Sequence, residues 1–206
     1  MRLTLLIVAL VAPTMKVYAT STTTAASSPA DFTLPIVDQN GPTGKSLTLS
    51  HYRGSVVVLL FFGPWCPPCQ SMAPFMDGLY AQFSPKGAVF IQVAEPWGPR
   101  QASHGYQNVT VEQFLTVHQT NITTVLDTPS WIAANIYAWS ALPTLYVIFR
   151  NFTIAGNYTG VGNVEANAST LITTALVTPV SEFGDALLIV AACLATTLFV
   201  VRRRRT

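Results

Sequence analysis

The run Ser55 to Phe62 (SVVVLLFF) passes directly into GPWCPPC, and no other stretch constrains this chain as much. Its β-branched and aromatic side chains leave no face for water, which predicts a strand buried on both sides. A strand of that kind needs a layer above it and a layer below it. The reading is therefore an α/β sheet flanked by helices.

The residues around the run agree. Cys66 to Phe83 is expected to be a helix, because Met72, Phe75, Met76, Leu79 and Phe83 recur at three- and four-residue spacing. Pro74 falls inside it and predicts a kink. Ala88 to Ala94 is a second buried strand, and Val111 to Gln119 a short amphipathic helix. Thr144 to Arg150 and Phe152 to Tyr158 are two more strands, joined tightly at Asn151, and Glu165 to Leu176 is a closing helix. Strand, helix, strand, helix, hairpin, helix is the thioredoxin-like order, with a central mixed sheet. This domain spans residues 31–178, and no internal repeat is visible.

The dithiol at Cys66 and Cys69 carries the chemistry. A thiol at a helix start meets unpaired backbone N–H groups and the positive end of the macrodipole, which favour thiolate. Cys66 is thus the candidate nucleophile. Cys69, three residues on, returns to nearly the same helical face and is the candidate resolving thiol. Pro67 and Pro68 stiffen the turn between them where missing N–H groups are tolerated. Two rival uses of such a pair are a metal site and a structural disulfide. Structural zinc wants four ligands, yet no second pair exists: Cys193 lies in the apolar tail, and His51, His104 and His118 lack ligand spacing. No metal and no bound cofactor are expected.

Half of the residues are hydrophobic and a tenth are charged, and much of that imbalance sits at the ends. Residues 1–19 combine Arg2, an apolar run from Leu3 to Ala12 and Val17-Tyr18-Ala19, the pattern of a cleaved signal peptide. An uncleaved anchor fits less well, since Pro13 and Lys16 interrupt a run too short to span a bilayer. Residues 20–30 form a Ser/Thr-rich linker. Residues 183–201 are just long enough to cross a bilayer as a helix, and the basic tail 202–206 places the C-terminus in the cytoplasm with the domain outside. A membrane helix and a processed sorting signal share this pattern.

The whole chain has a formal charge of +2, but its basic excess belongs to the two ends. Between Thr20 and Ser181 acids outnumber bases by two, so no basic patch points to nucleic acid. Sequons at Asn108, Asn121, Asn151, Asn157 and Asn167 agree with an extracytoplasmic location and are candidate glycosylation sites.

DFTLPIVDQNG followed by LTLSHYRGSVVVLLFFGPWCPPC resembles the opening of the TlpA/ResA-like thiol-disulfide oxidoreductases, the membrane-tethered branch of the thioredoxin superfamily. The similarity runs from about Asp31 to Val177. It implies an enzyme that reduces or exchanges disulfides in client proteins, recharged by a membrane thiol electron donor, with cytochrome c maturation as the common setting. It implies a cis-proline at Leu142-Pro143, which with Trp65 would meet the client chain. It also implies that Glu95 handles the proton of Cys69. A solvated loop glutamate is the other reading of Glu95. The aspartate that cytosolic thioredoxins carry six positions before the first cysteine is Leu60 here. Peroxidase chemistry fits poorly, because Gly63 stands where that chemistry needs a threonine. A disulfide-forming oxidase and a copper-delivery module, with His104 and Met72 as available ligands, are the competing functions. In the long loop from Pro96 to Asn108, Trp97, His104 and Tyr106 either contact a partner or cap the sheet. Trp131, Tyr137 and Trp139 are expected around the rim of the site.

Overall fold

A computed structural model describes residues 27–97, 102, 105–127, 132–137 and 140–179. The expected signal peptide, most of the linker, the membrane or sorting helix at 183–201 and the basic tail lie outside the described residues, as do Cys193, His104, Trp131 and Trp139. Among the described residues no helix is long and apolar enough to cross a membrane.

The strands are β1 Thr33–Asp38, β2 Gly41–Thr48, β3 Val56–Phe62, β4 Ala88–Ala94, β5 Thr123–Leu126, β6 Thr144–Ile148 and β7 Ile154–Thr159. The helices are α1 Pro67–Phe83, α2 Val111–His118, α3 Ile132–Tyr137 and α4 Val161–Val177. The strands form one sheet in the order β2-β1-β5-β4-β3-β6-β7. β3, β4 and β5 run parallel, and every other pair is antiparallel.

The apolar run of β3 sits inside the sheet, between β4 and β6, and is buried along its whole length. Its alternation sorts the core into two halves. Val56, Val58, Leu60 and Phe62 pack with Met72, Met76, Leu79 and Phe83 of α1, Phe114 of α2 and Ile172 of α4. Val57, Leu59 and Phe61 face the other way, into Phe32, Leu34, Leu49, Tyr137 and Tyr146. Each fully buried side chain of this size contributes about 1.5–3 kcal/mol relative to exposure. The continuous run is therefore the part of the chain that both layers need.

Several elements depart from the sequence reading. α1 opens at Pro67, with Cys66 as its N-cap, and Pro74 lies within it on its exposed face. The β1–β2 hairpin, β5 and α3 have no counterpart in the expected element order. α4 starts at Val161, just after Gly160, whose positive φ (84°) glycine tolerates. The end of the expected linker packs on the domain: the Ser27 carbonyl accepts the Ile154 N–H at 3.0 Å and the Ala30 carbonyl accepts the Tyr137 hydroxyl at 3.0 Å. At the far end Arg150 donates through Nη1 to the Leu176 carbonyl (2.7 Å), answering one of the last carbonyls of α4.

Candidate active site

β3 delivers the chain to the carboxyl edge of the parallel strands, where Gly63, Pro64 and Trp65 turn it into α1. The Cys66 N–H donates to the Gly63 carbonyl at 3.0 Å and closes that turn. A Cβ on Gly63 would stand 2.6 Å from the Trp65 ring, closer than real Cβ atoms approach, so glycine leaves the space that the indole fills. A threonine at this position is sterically incompatible with the ring where it lies. The ring is buried, its indole N–H donates to the Glu95 carbonyl at 3.1 Å, and Tyr106 packs on it with ring centroids 5.2 Å apart.

Cys66 is the N-cap of α1, with extended backbone, and Pro67 and Pro68 open the helix. Cys66 and Cys69 are joined as a disulfide across a Cα separation of 5.2 Å. Both residues are nearly buried, Cys66 at 6% exposure and Cys69 at 3%, while the prolines between them are exposed. The expectation of unpaired N–H groups around the nucleophile is corrected here. The two prolines have no N–H, and the next two, on Cys69 and Gln70, donate to the carbonyl of Cys66 itself at 3.0 and 3.1 Å. Free donors are therefore not part of the case for a Cys66 thiolate, and the positive end of the helix is the part of that expectation that remains.

Glu95 follows β4 directly. Its N–H donates to the Phe62 carbonyl (2.8 Å), so its backbone extends the ladder beside the strand that leads to the dithiol. It is fully buried, and both carboxylate oxygens are shielded from solvent. This is not the environment of a solvated loop glutamate.

Leu142-Pro143 is a cis peptide bond. Thr144, next in the chain, is paired with Phe61 of β3, so Pro143 opens β6 at the dithiol end of the sheet. The Pro143 carbonyl accepts the Gly160 N–H at 2.8 Å, and the Ala141 carbonyl accepts the Thr144 hydroxyl at 2.6 Å. Between those two occupied carbonyls, neither the N–H nor the C=O of Leu142 is hydrogen-bonded among the described residues.

The other sequence candidates separate. Trp97 packs against the helical half of the core, whereas Tyr106 reaches Trp65 and stays 41% exposed. Tyr137 lies in the opposite half of the core, ringed by Phe32, Phe61 and Tyr146, instead of at a rim. Burial, with Asp31 adding, pushes its phenol well above the ordinary value. Asn108, Asn121, Asn151 and Asn157 are exposed; Asn167 lies within α4, where its amide donates to the Asn163 carbonyl at 2.8 Å. His51 is exposed and His118 stacks on Phe114, with ring centroids 4.4 Å apart. Among the described residues no three His, Cys, Asp or Glu side chains cluster as metal ligands. Sequence reasoning missed the Tyr106 contact and the hydroxyls of Thr144 and Thr159, since nothing local in the chain announces a partner so far away.

Comparison with known proteins gives consistent matches. The AhpC/TSA family pattern matches residues 26–156. The thiol-disulfide oxidoreductase ResA of Geobacillus thermodenitrificans is 28% identical over 160 residues, covering 78% of this chain and 86% of that protein. ResA of Bacillus subtilis is 31% identical over 105 residues, covering 51% of this chain and about half (53%) of the relative. A crystal structure described as a thiol:disulfide interchange protein DsbE from Chlorobium tepidum superposes with a TM-score of 0.59 at 25% identity, covering 73% of this chain and 96% of that one. A second thioredoxin family protein from the same organism, at 21% identity and a TM-score of 0.55, shows the same fold over 73% of this chain and 97% of its own.

Proposed function

This chain belongs to the AhpC/TSA family and is a ResA-like thiol-disulfide oxidoreductase, and from that premise we propose that it reduces disulfides in client proteins outside the cytoplasm. The observation that carries the reading is the Cys66–Cys69 disulfide at the start of α1, at the same sheet end as the cis Leu142-Pro143 bond.

The reaction balances with the residues present. Cys66 thiolate attacks one sulfur of a client disulfide, forming a Cys66–client bond while the other client sulfur leaves as thiolate. Cys69 then attacks the Cys66 sulfur and releases the second client thiolate. Two electrons have passed to the client, and the enzyme is left as the Cys66–Cys69 disulfide. In this proposal Glu95 takes the proton of Cys69 as that thiol becomes a nucleophile; its complete burial beside the dithiol strand supports the role. Leu142 receives an extended client segment, a role supported by its backbone groups having no internal partner among the described residues. Trp65 covers one side of the site.

Location and partners complete the proposal. A cleaved signal at residues 1–19 and a single membrane helix at 183–201 would hold the domain outside, with a membrane thiol carrier returning electrons to the disulfide; the terminal sequence patterns support this. Cytochrome c maturation is the setting proposed for the clients. The reduction potential of the Cys66–Cys69 couple in the full chain, equilibrated with defined thiol buffers, tests the direction. A value near or below about −250 mV makes it a reductase, whereas one near about −120 mV makes it an oxidase and refutes the proposal.

A further inference from the structure

Thr144 is completely buried, yet no step of disulfide exchange uses its hydroxyl. Its Oγ1 lies 2.6 Å from the carbonyl of Ala141 and 3.0 Å from Oγ1 of Thr159, its register partner on β7. A hydroxyl has a single proton to give, and a carbonyl can only accept. Thr144 therefore donates to Ala141, and Thr159 must donate to Thr144. The relay has one direction, and it ends on the residue immediately before Leu142.

The other side of the turn is fastened independently, by the Gly160 N–H on the Pro143 carbonyl at 2.8 Å. Thr159 and Gly160 are consecutive, so one corner of β7 holds both flanks of Leu142-Pro143. With the Ala141 carbonyl turned inward onto Thr144, the N–H and C=O of Leu142 are the pair left unoccupied among the described residues. Without the hydroxyl, that carbonyl would lose its buried partner and the peptide units around it would be free to rotate.

We propose that Thr144 is a positioning residue for client capture. Its hydroxyl fixes the turn so that the backbone edge of Leu142 stays presented to an extended polypeptide segment carrying the disulfide. The inference rests on the reading of Leu142-Pro143 as the client shelf. It also predicts selectivity, because a small disulfide that needs no shelf is indifferent to Thr144.

The test uses the reduced full chain and two oxidants, insulin as a disulfide-linked polypeptide and oxidised glutathione as a small disulfide. Thr144→Val keeps the shape and removes the proton. It is expected to raise KM for insulin about tenfold, the scale of one lost buried hydrogen bond, with the glutathione rate within about twofold of the parent. Thr144→Ser restores the donor and is expected to return insulin kinetics to within about twofold. Should Thr144→Val fail to fold, Thr144→Ala is read by the same insulin-to-glutathione ratio. Equal slowing of both oxidants, an unmoved KM for insulin, or a failure of Thr144→Ser to restore insulin kinetics overturns the proposal. Pro143→Ala separates the two layers of inference. If it leaves insulin kinetics unchanged, the shelf itself is wrong; if it slows insulin while Thr144→Val does not, only the role of Thr144 is wrong.

Discussion

Two helices of this domain begin in opposite ways. At the start of α2, Thr110 accepts the Gln113 N–H at 3.2 Å while the Gln113 side chain accepts the Thr110 N–H at 2.9 Å, and Glu112 adds a negative charge to the first turn. At the start of α1 the N-cap is Cys66, with no side-chain cap bond and no acid in the first turn. The first arrangement is what stability asks for. The second withholds the anion that would satisfy the helix, and so leaves the helix's positive end for a sulfur. Reactivity at α1 is obtained by omitting what α2 includes.

The largest expected effect comes from removing the sulfur at the reactive end. Cys66→Ser should reduce insulin-disulfide exchange to the uncatalysed rate. Full exchange activity in that variant would remove Cys66 as nucleophile. Next in size is Gly63→Thr, which forces the Trp65 ring out of its place. A stability loss of about 1–3 kcal/mol, with a changed tryptophan emission spectrum, is expected from overpacking. An unchanged spectrum would show that the ring has room after all.

The two smaller effects test the comparison itself. Thr110→Ala should lose about 1 kcal/mol in denaturant unfolding and leave the dithiol potential where it was. A shifted potential would mean that the two helix starts are coupled. Pro68→Glu gives α1 the charge that α2 already has. The thiolate absorbance of the reduced protein should then titrate with its Cys66 midpoint roughly half a pH unit higher, since a negative charge beside the helix start disfavours a second one. A midpoint that falls or stays fixed would show that the helix field is not what activates Cys66.

How much was legible beforehand follows from how each element is stabilised. β3, β4 and α1 are written in their own residues, because each carries an apolar pattern at its own period. The dithiol was equally plain, being defined by two side chains on one turn of helix. The β1–β2 hairpin was not, since Pro35, Gly41, Pro42 and Gly44 interrupt any strand pattern; the last three lie on β2, the edge strand, and Pro35 sits at the irregularity in the β1–β2 register. β5 is four residues long and exists because β1 and β4 flank it. The burial of Glu95 was half legible: its position after a buried strand was visible, its complete removal from water was not. The turn at Pro143 shows the same division. Its place ahead of a strand is local, but the bonds that hold it come from Thr159 and Gly160, and no local rule specifies them.

The bonds from Ile154 to Ser27 and from Arg150 to Leu176 fasten the two ends of the folded domain beside the β6–β7 turn. That turn lies at the amino end of β3, and the dithiol lies past its carboxyl end. Seven residues of strand separate the two poles, roughly 23 Å at the usual rise. A tether joined at either terminus therefore pulls on the pole opposite the reactive sulfurs. Attached by such a tether, the domain would act as a stand-off, with its dithiol at the end away from the attachment.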